Sequence, residues 1–357
     1  MNSRERILAA INHEPVDRVP TDIWATDEVW DRLRASFGDD EAVRRALHLD
    51  GFGSVRPVYI GPPLPHCAEG ASLEYREFYG IWGMGLKWMD FGAGKYLEQT
   101  NYPLAEAGTI ADLEAYHWPS ADWFDYSRMR AEAEAQHATR AIQCGYMAPF
   151  YLHNLLRGLE TSLVDPLENP EFTHYLVRRI CDFEYDYHAR MFEACAGLID
   201  VAQVTDDLGS QSGPLISLKL YREFYAPQHQ RFINLCHSHG IKVFHHDDGS
   251  MRAFLPDLVA MGIDILNPVQ WTCPGMDMKE LKRDFGRRIC FHGAVDNQRI
   301  LPFGTPDDVR AEVRHCIDAL TDDHTGYILA PCHNLQAITP MENIIALYDE
   351  AWRYGRF

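Results

Sequence analysis

Two imidazoles and two carboxylates stand together at His245-His246-Asp247-Asp248, directly after the apolar run Ile241-Lys242-Val243-Phe244 and before Gly249-Ser250. Such groups at the end of a buried strand must be solvated, paired or bound to something, because an isolated charge in an apolar interior is costly. The pattern recurs along the chain. Ile263-Asp264-Ile265-Leu266 runs into Asn267-Pro268-Val269-Gln270, and the strand predicted from Leu198 to Val204 runs into Thr205-Asp206-Asp207-Leu208-Gly209. The strand predicted from Arg288 ends on His292 with Asp296 beyond it, the one from Tyr327 to Ala330 leads to Cys332 and His333, and the first, from Val19 to Ile23, finishes at Trp24.

A His-x-Asp pair at a strand end brings an imidazole nitrogen and a carboxylate oxygen to one side. A thiolate from the last strand would complete a site of three protein ligands with an open position, so His246, Asp248 and Cys332 are candidate metal ligands. A hydrogen-bonded polar cluster is the competing reading of the same spacing. Adjacent residues at a strand end point in different directions, so only one of Asp206 and Asp207 is expected to face the pocket. Asp207, which directly precedes the Leu-Gly turn, is the expected one, and with His246 it forms a candidate acid and base. Trp24, Asn267, Gln270, His292 and His333 are candidate substrate contacts. Asn267 and Gln270 could equally cap their loops, and Asp296 a helix.

These residues need a frame that brings many strand ends to one face. Helical periodicity is read near Ile7 to Asn12, at 39–49, 125–138 and 149–159, and along a long helix opened by Pro170. From Ser217 onward strand and helix alternate: a helix to His239 interrupted by Pro227, then helices at 250–261 and 277–285, one capped by Thr305 with Pro306 in its first turn, and a last one with a capping box at Thr339-Pro340-Met341-Glu342. Consecutive strand-helix units of this length imply parallel strands. Gly51-Phe52-Gly53 and Gly83-Met84-Gly85 lack the third glycine of a dinucleotide turn, which favours a (β/α)8 TIM barrel over a doubly wound sheet. The expected fold is a single α/β barrel domain over residues 1–357, with an irregular insertion near 51–122 rich in Gly, Pro and aromatic residues. That insertion is either a lid supplying aromatic contacts at the mouth or a wrapped loop held by buried rings.

The chain has 357 residues, 46% of them hydrophobic, and a formal charge of -19 from 33 Lys and Arg against 52 Asp and Glu. Nucleic acid and anionic membrane surfaces recruit clustered Lys and Arg, so neither is expected as a partner. No apolar run approaches the roughly 20 residues needed to span a bilayer, and the N-terminal segment lacks the apolar core of a signal peptide. Nine scattered cysteines without a C-x-x-C pair fit a reducing compartment, so a cytoplasmic location is expected.

The sequence resembles the uroporphyrinogen decarboxylase superfamily over nearly its whole length, and within it the branch of cobamide-dependent methyltransferases. The resemblance rests on Ser3-Arg4-Glu5-Arg6 with Asp17-Arg18-Val19-Pro20, on Leu156-Arg157-Gly158 with Asp165, and on Asp206 through Gln211 with Tyr221-Arg222-Glu223-Phe224. It continues through the stretch 240–270, His292-Gly293-Ala294-Val295-Asp296, His333-Asn334-Leu335-Gln336, Thr339-Pro340 and Glu342-Asn343-Ile344. It implies a barrel, and in the methyltransferase branch a zinc held by a His-x-Cys pair and a later Cys. Here His246 matches the histidine, Asp248 stands at the first cysteine's place and Cys332 falls close to the second. The carboxylate leaves zinc, another divalent ion or no metal open. The Arg-rich substrate signature of the decarboxylases is absent where this chain reads Thr21-Asp22-Ile23-Trp24.

The resemblance implies a methyltransferase moving a methyl group between a small methylated compound and a corrinoid or thiol acceptor, the corrinoid carried by a partner protein. The alternative is a metal-independent decarboxylase or lyase using Asp207 and His246, and a non-catalytic binding barrel is the third class. A homodimer is left open.

Overall fold

Seven parallel strands form one curled sheet in the order Phe52–Ser54, Ala141–Met147, Val201–Val204, Lys242–His246, Ile265–Asn267, Cys290–Val295 and Tyr327–Pro331. The order follows the chain because parallel neighbours must be joined by a crossover, supplied here mostly by helices. The computed structural model describes residues 1–90, 92, 94–321 and 324–357. Phe91 and Ala93, inside the stretch read as irregular, lie outside the described residues, as do Asp322 and Asp323.

The segment expected as a strand from Val19 to Ile23 makes only a parallel bridge, Thr21 to Leu329. Pro20 has no N–H to give a ladder. The segment still lies between the two ends of the sheet: Leu329 N–H donates to Pro20 O and Asp22 N–H to Leu329 O, both at 2.9 Å, while Asp50 and Gly51 donate to Thr21 O at 3.1 and 3.0 Å. The strand left ambiguous upstream of residue 141 is Phe52–Ser54, in register with 141–143.

Alternation along the strands sorts the interior into layers. Ala141, Val201, Phe244, Ile265, Cys290 and Ile328 pack together with Trp24 and Phe52, and Ile7, Ala10 and Ile11 of the helix Ser3–Ile11 cover one end of this layer. That helix begins with a capping box in which Asn2 and Glu5 exchange two 2.9 Å hydrogen bonds, an arrangement worth about 1 kcal/mol. Two residues further along the strands, the same inward face carries His246, Asn267 and His292. The larger apolar core lies outside the sheet, beneath the helices.

Several boundaries differ from expectation. The 149–159 helix is two helices, Pro149–Arg157 and Leu159–Glu168, separated by Gly158 in a left-handed conformation (φ +84°). Pro227 sits in the first turn of Ala226–Ser238 and interrupts nothing, because a first-turn residue needs no N–H. The last helix, Met341–Tyr354, starts after Pro340 with no side-chain cap, so the Thr339 capping box does not form. The helix Asp27–Phe37 went unread.

Residues 51–122 are more regular than expected, with helices Leu73–Gly80 and Ile110–Ala115 and a hairpin pairing Leu86–Asp90 with Lys95–Gln99. Trp82 is fully buried and meets Phe183 edge to face at 5.2 Å. The hairpin's Tyr96 hydroxyl donates to Gln336 Oε1 at 2.5 Å. One part of this stretch is therefore core, and another reaches the loop that follows His333. All nine cysteines are free and eight are buried. No helix among the described residues is long and apolar enough to cross a membrane.

Candidate functional site

The run His245-His246-Asp247-Asp248 divides by alternation. His245 and Asp247 are fully buried on the outer face: His245 Nδ1–H donates to Val204 O at 2.7 Å, and Asp247 Oδ1 accepts from Leu208 and Gly209 N–H at 2.9 and 3.1 Å. Burial pushes His245 down to about 3 and Asp247 well above the carboxylate range. This pair is scaffolding that holds the 208–209 turn. His246 and Asp248 face the other way, into the strand-end mouth.

A hydrogen-bonded chain fixes His246. Asp22 Oδ2 accepts from His292 Nε2–H at 3.1 Å and from Trp24 Nε1–H at 3.2 Å. A neutral His292 then offers a lone pair at Nδ1, which takes Asn267 Nδ2–H at 2.7 Å. The other end of that amide is an acceptor, so His246 must carry its proton on Nδ1, 2.5 Å from Asn267 Oδ1. With Nδ1 held by Asn267, His246 turns Nε2 toward the mouth. Asn267 and His292 are fully buried and Asp22 nearly so, which makes the relay rigid. The Trp24 ring lies 5.3 Å from His246, 6.0 Å from His292 and 6.2 Å from His333, walling this side.

His246, Asp248 and His333 place one donor atom each within 4.8 Å of one another. Asp248 Oδ2 is 3.9 Å from His246 Nε2 and 3.7 Å from His333 Nε2, too far for hydrogen bonds. Burial holds His333 below the ordinary histidine range, so its imidazole is neutral. Two imidazole nitrogens and a carboxylate oxygen thus converge, a donor set that fits a divalent cation. Two ligands on a tetrahedral centre at about 2.1 Å lie about 3.4 Å apart, so the two Asp248 contacts would each shorten by a few tenths of an ångström and the two imidazoles would draw together from within 4.8 Å.

Cys332 is outside this group. Its Sγ points to Val269 O at 3.9 Å, and burial together with the negative charge of Asp248 holds the thiol well above its ordinary range, in the protonated form. The strand ends at Pro331, so the next residues no longer alternate, and it is His333 that turns toward Asp248. Cys332 and His333 still line one cavity of about 280 Å³ with Asp248, Gln270 and Gln336.

Asp206 and Asp207 differ in their surroundings. Asp206 is fully buried and accepts from Phe150 and Tyr151 N–H at 3.1 and 2.7 Å, at the start of Pro149–Arg157 where the helix dipole favours a carboxylate. Asp207 is near enough to His246 and Asp248 to feel both charges. Burial pushes it up to about 7; the nearby His246 pulls the other way, and Asp248 and Asp206 add to the rise. Its field also reaches Tyr146, Tyr151 and Tyr79, and the Tyr79 and Tyr151 hydroxyls are 3.0 Å apart. These three tyrosines went unread. The helical spacing of Tyr75, Phe78 and Tyr79 after Ser72, whose Oγ accepts from Tyr75 N–H, was the available signal.

Gln270 ties loops together, accepting Gly249 N–H at 2.8 Å and donating to Gln211 at 3.2 Å. Asp296 caps the turn that follows it, accepting from Gln298 and Arg299 N–H.

Against known proteins, the profile described as Uroporphyrinogen decarboxylase (URO-D) matches residues 89–354. The chain belongs to the uroporphyrinogen decarboxylase family, and it is an enzyme. It is 28% identical over 203 residues to a methylated-thiol–coenzyme M methyltransferase of Methanosarcina mazei, covering 56% of this chain and 49% of that protein. It is 25% identical over 103 residues to a uroporphyrinogen decarboxylase of Dechloromonas aromatica, covering 29% and 27%. The matched region spans half or less of each of these relatives. A solved methyltransferase from Methanosarcina mazei shares the fold across 99% of both chains, with a TM-score of 0.68 at 20% identity.

Proposed function

We propose that this protein is a methyltransferase that moves a methyl group between a small methylated compound and a thiol or corrinoid acceptor, with a divalent metal held by His246, Asp248 and His333. The convergence of these three donors within 4.8 Å is the observation that carries the reading, and the similarity to a methylated-thiol–coenzyme M methyltransferase supports it. On this reading residues 1–357 form one (β/α)8 barrel domain in which the segment 19–22 is the eighth stave. The reactive groups lie at its C-terminal mouth, and a corrinoid acceptor would be presented there by a separate carrier protein.

A divalent ion supplies Lewis acidity that lowers the pKa of a bound thiol or stabilises a departing heteroatom. The chain's own groups do the rest. The relay from Asp22 keeps the His246 Nε2 lone pair in place. Asp207, pushed up to about 7, holds a proton near neutrality and can pass it to the atom that loses the methyl group. Trp24 walls one side of the mouth and restricts water there. The 86–99 hairpin, tied by Tyr96 to Gln336, would serve as its cover. Substrate contacts are assigned to Trp24, Gln270 and His333, whereas Asn267 and His292 act through His246. Cys332, a neighbour of the donor set, is the alternative third ligand.

The test is methyl transfer from methylcobalamin to a simple thiol by zinc-loaded protein, followed as loss of methylcobalamin absorbance. Turnover that disappears in His246→Ala supports the proposal; no turnover with any thiol, or full activity in His246→Ala, contradicts it. A metal-independent decarboxylase or lyase is the second reading, favoured by the near-neutral Asp207 beside His246. It requires carbon dioxide release or elimination that persists in the presence of chelators.

A further inference from the structure

Beside the strand ends lies a cavity of about 510 Å³, between the segment 54–56, the strand Ala141–Met147 and the helix Pro170–Ala194. Aromatic rings make much of its wall. Phe78 and Tyr146 meet edge to face at 5.3 Å, and Phe183 and Tyr187 stack at 5.8 Å.

Into this wall is set a carboxyl with no counter-charge. Glu184 is 4% exposed and lines the cavity. Its nearest basic nitrogen is His188 Nδ1 at 3.5 Å. That N–H is already given to the Glu184 backbone carbonyl at 2.6 Å, and His188 Nε2 accepts Tyr146 N–H at 3.1 Å. Both imidazole nitrogens are committed and the ring is neutral. Among the described residues nothing donates a hydrogen bond to the Glu184 carboxyl, and burial pushes it well above the ordinary carboxylate range, so that a cation sharing the cavity is what would ionise it.

The remaining charge is of one sign. Glu74, Glu77 and Glu132 also line the cavity, and its one cation, Arg56, is paired with Glu77 at 3.1 Å. An anion would be repelled. A hard metal ion would want several oxygens in place of ring faces. A neutral apolar ligand would leave Glu184 as it is. A soft organic cation satisfies both features, since ring faces attract it and a buried carboxylate neutralises it.

We propose that this cavity binds an alkylammonium group, with Glu184 as its counter-ion and the rings of Phe78, Tyr146, Phe183 and Tyr187 as its cage. Tyr146 connects the cavity to the proposed reaction site: it borders the cavity, and the carbonyl of the next residue, Met147, accepts Thr205 N–H at 2.9 Å, two residues before Asp207. Resting on the methyltransferase reading, the proposal names the substrate class as an amine or quaternary ammonium compound.

The test is titration calorimetry of the metal-loaded protein with choline and with its neutral carbon isostere, 3,3-dimethyl-1-butanol. Saturable choline binding that exceeds the isostere by about tenfold or more is expected. Glu184→Gln should remove that preference, and Phe78→Leu, at a half-buried ring, should weaken choline several-fold. Equal binding of the two ligands, no saturable choline binding, or an unchanged preference in Glu184→Gln overturns the proposal. Choline binding without methyl transfer would count against the reaction alone, and methyl transfer to a thiol without choline binding against this cavity alone.

Discussion

Asn267 Oδ1 lies 2.5 Å from His246 Nδ1, and that contact decides which imidazole nitrogen faces the mouth. The direction of the proton is not set at Asn267. It is set at Asp22, which can only accept from His292, so that a carboxylate on the segment 19–22 fixes the tautomer of a histidine four strands away through two buried side chains. Partners of this kind, behind a ligand, orient it and raise its basicity.

Asn267→Leu should therefore cut metal affinity by about 10–100-fold while leaving the protein folded, and should cost about 1–3 kcal/mol of stability for the stranded imidazoles. Chelator competition measures the first effect. Imidazole ¹⁵N shifts report the tautomer, and a His246 that keeps its proton on Nδ1 in the variant would show that the relay does not set it.

Asp207 gives a pH dependence with a definite sign. Its folded value, about 7, lies above the ordinary 3.8, so the folded state binds more protons between those limits and stability falls as pH rises through them. Asp207→Asn escapes this loss. Its stability relative to wild type should grow by roughly 2–4 kcal/mol between pH 4 and pH 8. Urea unfolding at the two pH values checks it; a difference that does not change with pH would mean Asp207 is not desolvated.

The strand ends could be read from the sequence because a short apolar run closing on His, Asp or Asn is a local signal. The choice between Cys332 and His333 could not, since it depends on where the last strand stops. Two-residue alternation from Ile328 assigns Cys332 to the interior, but the strand ends at Pro331 and the turn presents His333 to Asp248. The relay was hidden for a related reason: Asp22, Asn267 and His292 meet only once the sheet has curled. Some motif residues proved to be frame and not chemistry. Arg157 grips Asp165 with two bonds, at 2.8 and 2.9 Å, and also binds the carbonyls of Leu104 and Ala107. Arg6 and Arg18 share the buried Asp50. Trp82, in the stretch read as irregular, is core because the helices Leu73–Gly80 and Ile110–Ala115 flank it and its ring packs on Phe183.

Gly209 packs directly against the candidate site. A Cβ there would stand 2.1 Å from the Asp248 carbonyl oxygen, a backbone atom that cannot swing aside, whereas one at Gly213 would meet nothing within 4 Å. Gly209→Ala should displace Asp248 and lower metal affinity by about tenfold or more, in keeping with the 10–100-fold losses seen when a ligand's support is disturbed, while Gly213→Ala should bind as wild type does. Equal affinities for the two variants would mean that the position of Asp248 does not matter to the metal.

The most direct test of the account is the metal content of the purified protein after zinc loading and gel filtration, compared among wild type, His333→Ala and Cys332→Ala. With His246, Asp248 and His333 as the ligand set, wild type and Cys332→Ala should each retain about one equivalent, as a site of three protein ligands with an open position does, and His333→Ala should lose it. Zinc kept by His333→Ala and lost from Cys332→Ala would contradict this ligand set, and a wild-type protein that retains no metal would contradict the metal-dependent mechanism itself.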